Sequence, residues 1–119
     1  MGCKLLIEAP VNAVSTEGKT LEQLKHLMAL YRRGYQSDVV DRSVDKLIAL
    51  ERVAVQRELA DLEARLQAFE ARYEMPSEAF YRRFRAGELG DSADMVEWSV
   101  FYEMLESVRE NLQVLEAEP

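Results

Sequence analysis

The 119-residue chain carries 15 Lys and Arg against 22 Asp and Glu, a net charge of −7, which excludes a surface coated for sequence-blind nucleic-acid binding. Its length suits one domain with a modest core, and a long helix in so short a chain leaves apolar surface for a partner, so a dimer is expected. Cys3 and His26, each the single residue of its type, exclude an internal disulfide and a Cys/His metal set, and no apolar run reaches the roughly 18–20 residues needed to span a bilayer.

The expected setting is a reducing cytoplasm, with no signal peptide. The charge is unevenly placed. Residues 1–36 hold Lys4, Lys19, Lys25, Arg32 and Arg33 against Glu8, Glu17 and Glu22, a net of +2 that leaves −9 for the remainder. Any nucleic-acid contact is therefore expected from the N-terminal third.

The opening MGCKLL has the glycine of a myristoylation start, but Leu6 stands where that motif needs Ser or Thr. Lys4–Ala9 (KLLIEA), closed by Pro10, predicts one short strand with Leu5, Ile7 and Ala9 on one face. Residues 10–19 have turn composition and read as a loop or linker. Thr20 then predicts a helix start, because T-L-E-Q places Gln23 three residues after a hydroxyl N-cap. Leu21, Leu24, Leu27, Met28 and Tyr31 form its apolar stripe, and Gly34 stops it. Ser37 caps the next helix, with Asp38 in its first turn.

That second helix meets no Gly or Pro before Pro76 and is predicted to run from Ser37 to about Tyr73. In its far half Val55, Leu59, Leu62, Leu66, Phe69 and Tyr73 alternate spacings of four and three, a coiled-coil seam. Either a second chain or a helix of the same chain would fill it. EMPSEAFYRRFRAG predicts a short helix with Pro76 in its first turn, Phe80 and Phe84 on one face and Gly87 at its end. Gly90 breaks the chain again, and Asp91 or Ser92 caps a last helix. Trp98, Phe101, Tyr102, Leu105, Val108, Leu112 and Leu115 form its broad apolar face, which predicts an antiparallel hairpin with the far half of the second helix.

No catalytic constellation appears. His26 has no Ser, Cys or acidic residue at the spacing of a dyad or triad. Glu88, Asp91, Asp94 and Glu97 lack the spacing of a calcium loop and suit helix capping instead. Arg82, Arg83 and Arg85 read either as a solvated face paired with nearby glutamates or as a patch for an anionic surface.

The stretch G-Y-Q-S-D-V-V-D-R-S-V-D-K-L-I-A-L-E, Gly34 to Glu51, resembles the corresponding stretch of ribbon-helix-helix antitoxins and repressors, and the resemblance extends over about residues 3–51. It implies that two chains pair their N-terminal strands into a ribbon that enters the DNA major groove. It also implies that the second helix holds a DNA phosphate, through free backbone N–H groups at Ser37, Asp38 and Val39. Lys4, Arg33 and Ser37 are then the candidate DNA contacts.

The segment MPSEAFYRRFRAGELGDSADMVEWSVFYEM looks like one found in small bacterial and archaeal proteins of antitoxin type. Phe80, Arg83, Phe84, Gly87–Asp91, Asp94, Glu97 and Trp98 carry the similarity. Gly87 and Gly90 bracket Leu89 and aim it back at Trp98 and Phe84, making a shaped tip. Arg82, Arg83, Arg85, Glu88 and Leu89 are its candidate partner contacts.

The expected fold is mainly α: a short N-terminal strand, a long central helix and a C-terminal antiparallel helical hairpin, as a homodimer. Residues 1–51 would dimerise and bind DNA, and residues 52–119 would cover a toxin. The expected function is that of a non-catalytic antitoxin-like protein that neutralises a cognate small toxin protein and binds its own operator DNA. An acidic chain suits the basic cleft of a toxin that acts on nucleic acid. The alternative is a homodimeric helical scaffold without DNA binding. Neither a cofactor nor a membrane partner is expected.

Overall fold

Each helix end leaves backbone groups without intrahelical partners, and where those groups find partners decides where the helices of this chain stop. The computed structural model describes residues 18–117. The predicted strand Lys4–Ala9, and with it Lys4, lies outside them. Among the described residues there are four helices and no strand: α1 over 18–32, α2 Asp38–Tyr73, α3 Ser77–Arg85 and α4 Ala93–Glu116. The chain divides into two compact units, Met1–Arg42 and Ser43–Pro119.

In the first unit α1 is already helical at residues 18 and 19. Thr20 therefore lies inside the helix rather than at its cap, and the predicted loop does not reach Lys19. Extending a formed helix costs far less than nucleating one, so a good cap residue does not force a start. The far end follows the sequence closely. Tyr35 N–H reaches back to Leu30 O at 3.2 Å and Gly34 N–H to Tyr31 O at 3.0 Å, with Gly34 at φ 94°. This is the paired bonding that closes a helix through a left-handed glycine. Ser37 then caps α2 as predicted, its Oγ accepting from Val40 N–H at 3.3 Å.

In the second unit the seam of α2 is filled from within the chain. Arg52 Nε donates to Leu115 O at 2.8 Å, Arg109 lies 3.8 Å from Glu63, Phe69 packs on Trp98 and Phe101, and Arg72 bonds Asp94 at 2.8 Å. Residues rising along α2 meet residues falling along α4, which is the predicted antiparallel hairpin. Leu62, Leu66, Phe80, Trp98, Leu105 and Val108 form the buried core.

The helix α3 plugs the open end. Phe80 and Trp98 are fully buried and stack with ring centroids 3.8 Å apart and planes 3° from parallel. Trp98 also stacks on Phe69 at 5.5 Å and Tyr73 at 5.6 Å, while Phe84 stacks one ring further out, on Phe80. A buried indole N–H needs an acceptor, and Ser77 Oγ provides it at 2.9 Å. Ser77 N–H in turn donates to Glu70 Oε2 at 2.9 Å, so a side chain of α2 satisfies the start of α3. Pro76 occupies the cap position, one residue before the predicted first turn.

The bonds that close α1 recur after α3: Glu88 N–H to Arg83 O and Gly87 N–H to Phe84 O, both at 3.0 Å, with Gly87 at φ 78°. The end of α2 uses Glu74 in the same role, at φ 52°, with Met75 N–H on Glu70 O. Ser92 is the cap of α4, its Oγ accepting from Met95 N–H at 3.3 Å.

Replacing Trp98 with Ala is expected to cost about 3–5 kcal/mol in denaturant unfolding, as for other buried large aromatics. Ser77→Ala leaves the indole N–H buried without an acceptor and is expected to cost about 1–3 kcal/mol. Wild-type stability of either variant would contradict this packing. The Asp94 carboxyl is held below the usual carboxylate range, first by the Tyr73 hydroxyl and then by Arg72. A lowered folded-state pKa adds stability above the unfolded-state value, and that stability is lost as pH falls through the folded one. Melting curves should therefore show Asp94→Asn less stable than wild type at neutral pH and converging with it in acid.

Candidate interaction surfaces

Three regions carry the candidate contact residues: the α1–α2 joint, the tip after α3, and the N-terminal third of α2. At the joint, Tyr31 is the organising residue. Its hydroxyl accepts from Ser37 N–H at 3.2 Å and lies 2.6 Å from Asp41 Oδ1 and 3.1 Å from Ser37 O. A phenol has one proton, and the shorter, charge-assisted contact to Asp41 takes it. Ser37 O already accepts from Asp41 N–H at 2.9 Å. The hydrogen bond to Asp41 is the first cause of the raised Tyr31 pKa.

This arrangement bears on the phosphate expected at Ser37, Asp38 and Val39. Ser37 N–H is engaged by Tyr31, and the carboxylates of Asp38 and Asp41 occupy the first turn. Asp38 also lies 3.8 Å from Arg42. The positive end of the helix dipole is thus met by the chain's own acids and hydroxyls, which is the chemistry of a self-satisfied elbow. Arg33 is exposed in the turn before it. Lys4 lies outside the described residues.

At the tip, the five candidate contacts separate into two groups. Arg83 Nε bonds Glu88 Oε1 at 3.2 Å, and Leu89 packs against the core cluster, so these three hold the turn together. Arg82 and Arg85 are exposed and have no ion-pair partner among the described residues. On another side of the hairpin a shallow groove of about 330 Å³ is lined by Glu63, Glu70, Glu78, Tyr102 and Arg109, among others. Glu70 is committed to Ser77 and Glu63 to Arg109. The groove is acidic and open to solvent. No group of three or more His, Cys, Asp or Glu placed to hold a metal occurs among the described residues. No helix among them is long and apolar enough to cross a membrane.

The third region was not singled out by the sequence pattern. From residue 41 to 51 every residue of α2 is exposed. Leu47 is 58% and Leu50 56% exposed, with Val44 and Val53 above 40%. In the first unit Leu21, Leu24 and Met28, three of the predicted apolar stripe, are about half exposed, while Leu27 and Tyr31 are partly buried.

Sequence reasoning placed Tyr31 on an apolar stripe and missed its hydroxyl. It also missed Glu70 and Arg52, which satisfy the ends of α3 and α4. The available signal was the demand of each helix end for partners: α4 has no basic residue in its last turn, so a cation had to come from elsewhere.

Tyr31→Phe is expected to free Ser37 N–H and speed its amide exchange, while the melting of the hairpin core stays unchanged. Unaltered exchange at Ser37 would show that Tyr31 does not hold the joint. In comparisons with known proteins, no family model, no curated protein and no solved structure matches the chain.

Proposed function

We propose that this chain is a dimeric binding protein of antitoxin type, which neutralises a small toxin protein by covering it. The supporting observation is the apolar surface left open beside a closed core. The hairpin buries Trp98 and Phe80 completely, yet Leu21, Leu24, Met28, Leu47 and Leu50 remain about half exposed or more. Open apolar area on this scale marks association surfaces.

Charge points to the kind of partner. Residues 52–119 contain 8 Arg against 15 Asp and Glu, so this half suits a basic protein such as a toxin that acts on nucleic acid. Arg82 and Arg85 at the tip supply a local opposite sign for an acidic spot on that partner. The resemblance of the Phe80–Trp98 segment to antitoxin-type proteins supports the same reading.

The operator-binding half has weaker support, because Tyr31, Asp38 and Asp41 fill the α2 start where a phosphate would sit. That observation favours a second reading, a homodimeric helical scaffold without DNA binding. Two measurements separate them. Purification from the native host should return a stoichiometric small basic protein that arrests growth when expressed alone and is neutralised by this chain. A chain that returns alone and rescues nothing would leave the scaffold. If DNA is bound, Lys4→Ala and Arg33→Ala should each lower the salt slope of promoter binding by about one. Absence of promoter binding at low salt, with the partner present, would remove the operator half.

A further inference from the structure

The two long helices of the hairpin differ in length, and the difference falls at one end. α2 has 36 residues and α4 has 24, about 54 Å against about 36 Å at 1.5 Å per residue. Arg52 bonds Leu115 O, one residue before the last residue of α4. The part of the second unit that precedes Arg52 therefore has no α4 beside it. It is not polar. Val44, Leu47, Ile48, Leu50 and Val53 are all at least 36% exposed.

Val44 and Ile48 continue the face that α4 fills further along, whereas Leu47 and Leu50 lie on a stripe of their own. Ser43, Leu47, Leu50, Ala54 and Arg57 follow the four-three spacing of coiled-coil core positions. At 100° per residue this stripe lies roughly 120° around the helix from the seam that α4 fills. All five residues are exposed. A helix can thus dock on it without displacing α4.

Charge selects the occupant. With Leu47 and Leu50 in the core, Lys46 flanks one side and Glu51 the other, five residues later in sequence. In a parallel pair of identical helices such flanking positions meet across the interface, Lys46 of one chain against Glu51 of the other, twice per dimer. Both side chains are exposed and neither has an ion-pair partner among the described residues of its own chain. An antiparallel pair centred on the same leucines would instead set Lys46 against Val53 and Glu51 against Val44, leaving both charges without a partner across the interface.

We propose that residues Ser43–Arg57 of α2 pair with the same residues of a second copy of this chain, in parallel, about a two-fold axis running along Leu47 and Leu50. This rests on the dimeric reading above and adds its contact surface and direction. Two leucine layers are fewer than an isolated coiled coil needs, and specific interfaces bury about 800 Å² per partner. The stripe is therefore the axial part of a larger interface.

The test is sedimentation of the full-length chain and its variants across micromolar concentrations. The wild type is expected to be dimeric. Leu47→Glu with Leu50→Glu is expected to give a monomer that keeps its Trp98 emission, since neither residue is in the hairpin core. Lys46→Glu alone should weaken the dimer about tenfold, the scale of two lost ion pairs, and Lys46→Glu with Glu51→Lys should restore it. In a Cys3→Ser background, Ser43→Cys should oxidise to a linked dimer, because a parallel two-fold brings position 43 against its own copy. A dimer that survives the double leucine change, ignores the charge swaps or cannot be linked through position 43 overturns this inference and leaves the binding-protein reading standing. A wild-type chain that stays monomeric throughout overturns the dimer itself.

Discussion

The second unit depends on the burial of Trp98. Its ring lies against Phe80, Phe69 and Tyr73, which come from α3 and from the last turns of α2. One side chain of α4 thereby ties three helices together. The cost of burying its indole N–H is met by Ser77 Oγ, and the Ser77 backbone is met by Glu70. α3 has only nine residues, too few to be stable as an isolated helix. It persists because Phe80 is held in the stack and Ser77 in the hydrogen-bond relay. Once α3 is fixed, the turn after it is fixed as well, since the backbone bonds around Gly87 and the Arg83–Glu88 pair return the chain toward α4.

From this anchored end the hairpin closes like a zipper toward Arg52, and there it stops. Arg52 satisfies a carbonyl at the α4 terminus that no basic residue of α4 itself can reach. α2 continues past that point as a helix whose apolar residues face solvent. The two parts of α2 thus have different causes. One is held by packing within the chain, whereas the other has the periodicity of a packed helix without a partner among the described residues of its own chain. Helical stability comes mainly from such packing rather than from intrinsic propensity, and the proposed second copy would make good that deficit.

The helix boundaries were largely legible because glycines and capping residues act locally. Gly34, Gly87, Ser37 and Ser92 all do in the structure what their side chains, or the lack of one, imply. The α2 seam was legible from its spacing, but whether α4 or a second chain filled it was not, because period alone does not name a partner. Thr20 misled because a strong cap permits a helix start without requiring one. Glu74 was invisible because a left-handed residue that is not glycine leaves no mark in the sequence. Of the candidate contacts, Arg83, Glu88 and Leu89 are used to build the tip, leaving Arg82 and Arg85 open; that division depends on side-chain direction. The Leu47–Leu50 stripe was obscured by its neighbours, since α2 is apolar around much of its circumference there.

The proposed dimer requires that α2 be stabilised from within the chain beyond Arg52 and by a second chain before it. Amide hydrogen exchange measured along α2 over a dilution series tests this most directly. Protection over residues 56–73 should stay constant with concentration, while protection over residues 43–54 should fall as the protein is diluted. Protection that is uniform along α2 and insensitive to dilution would contradict the account.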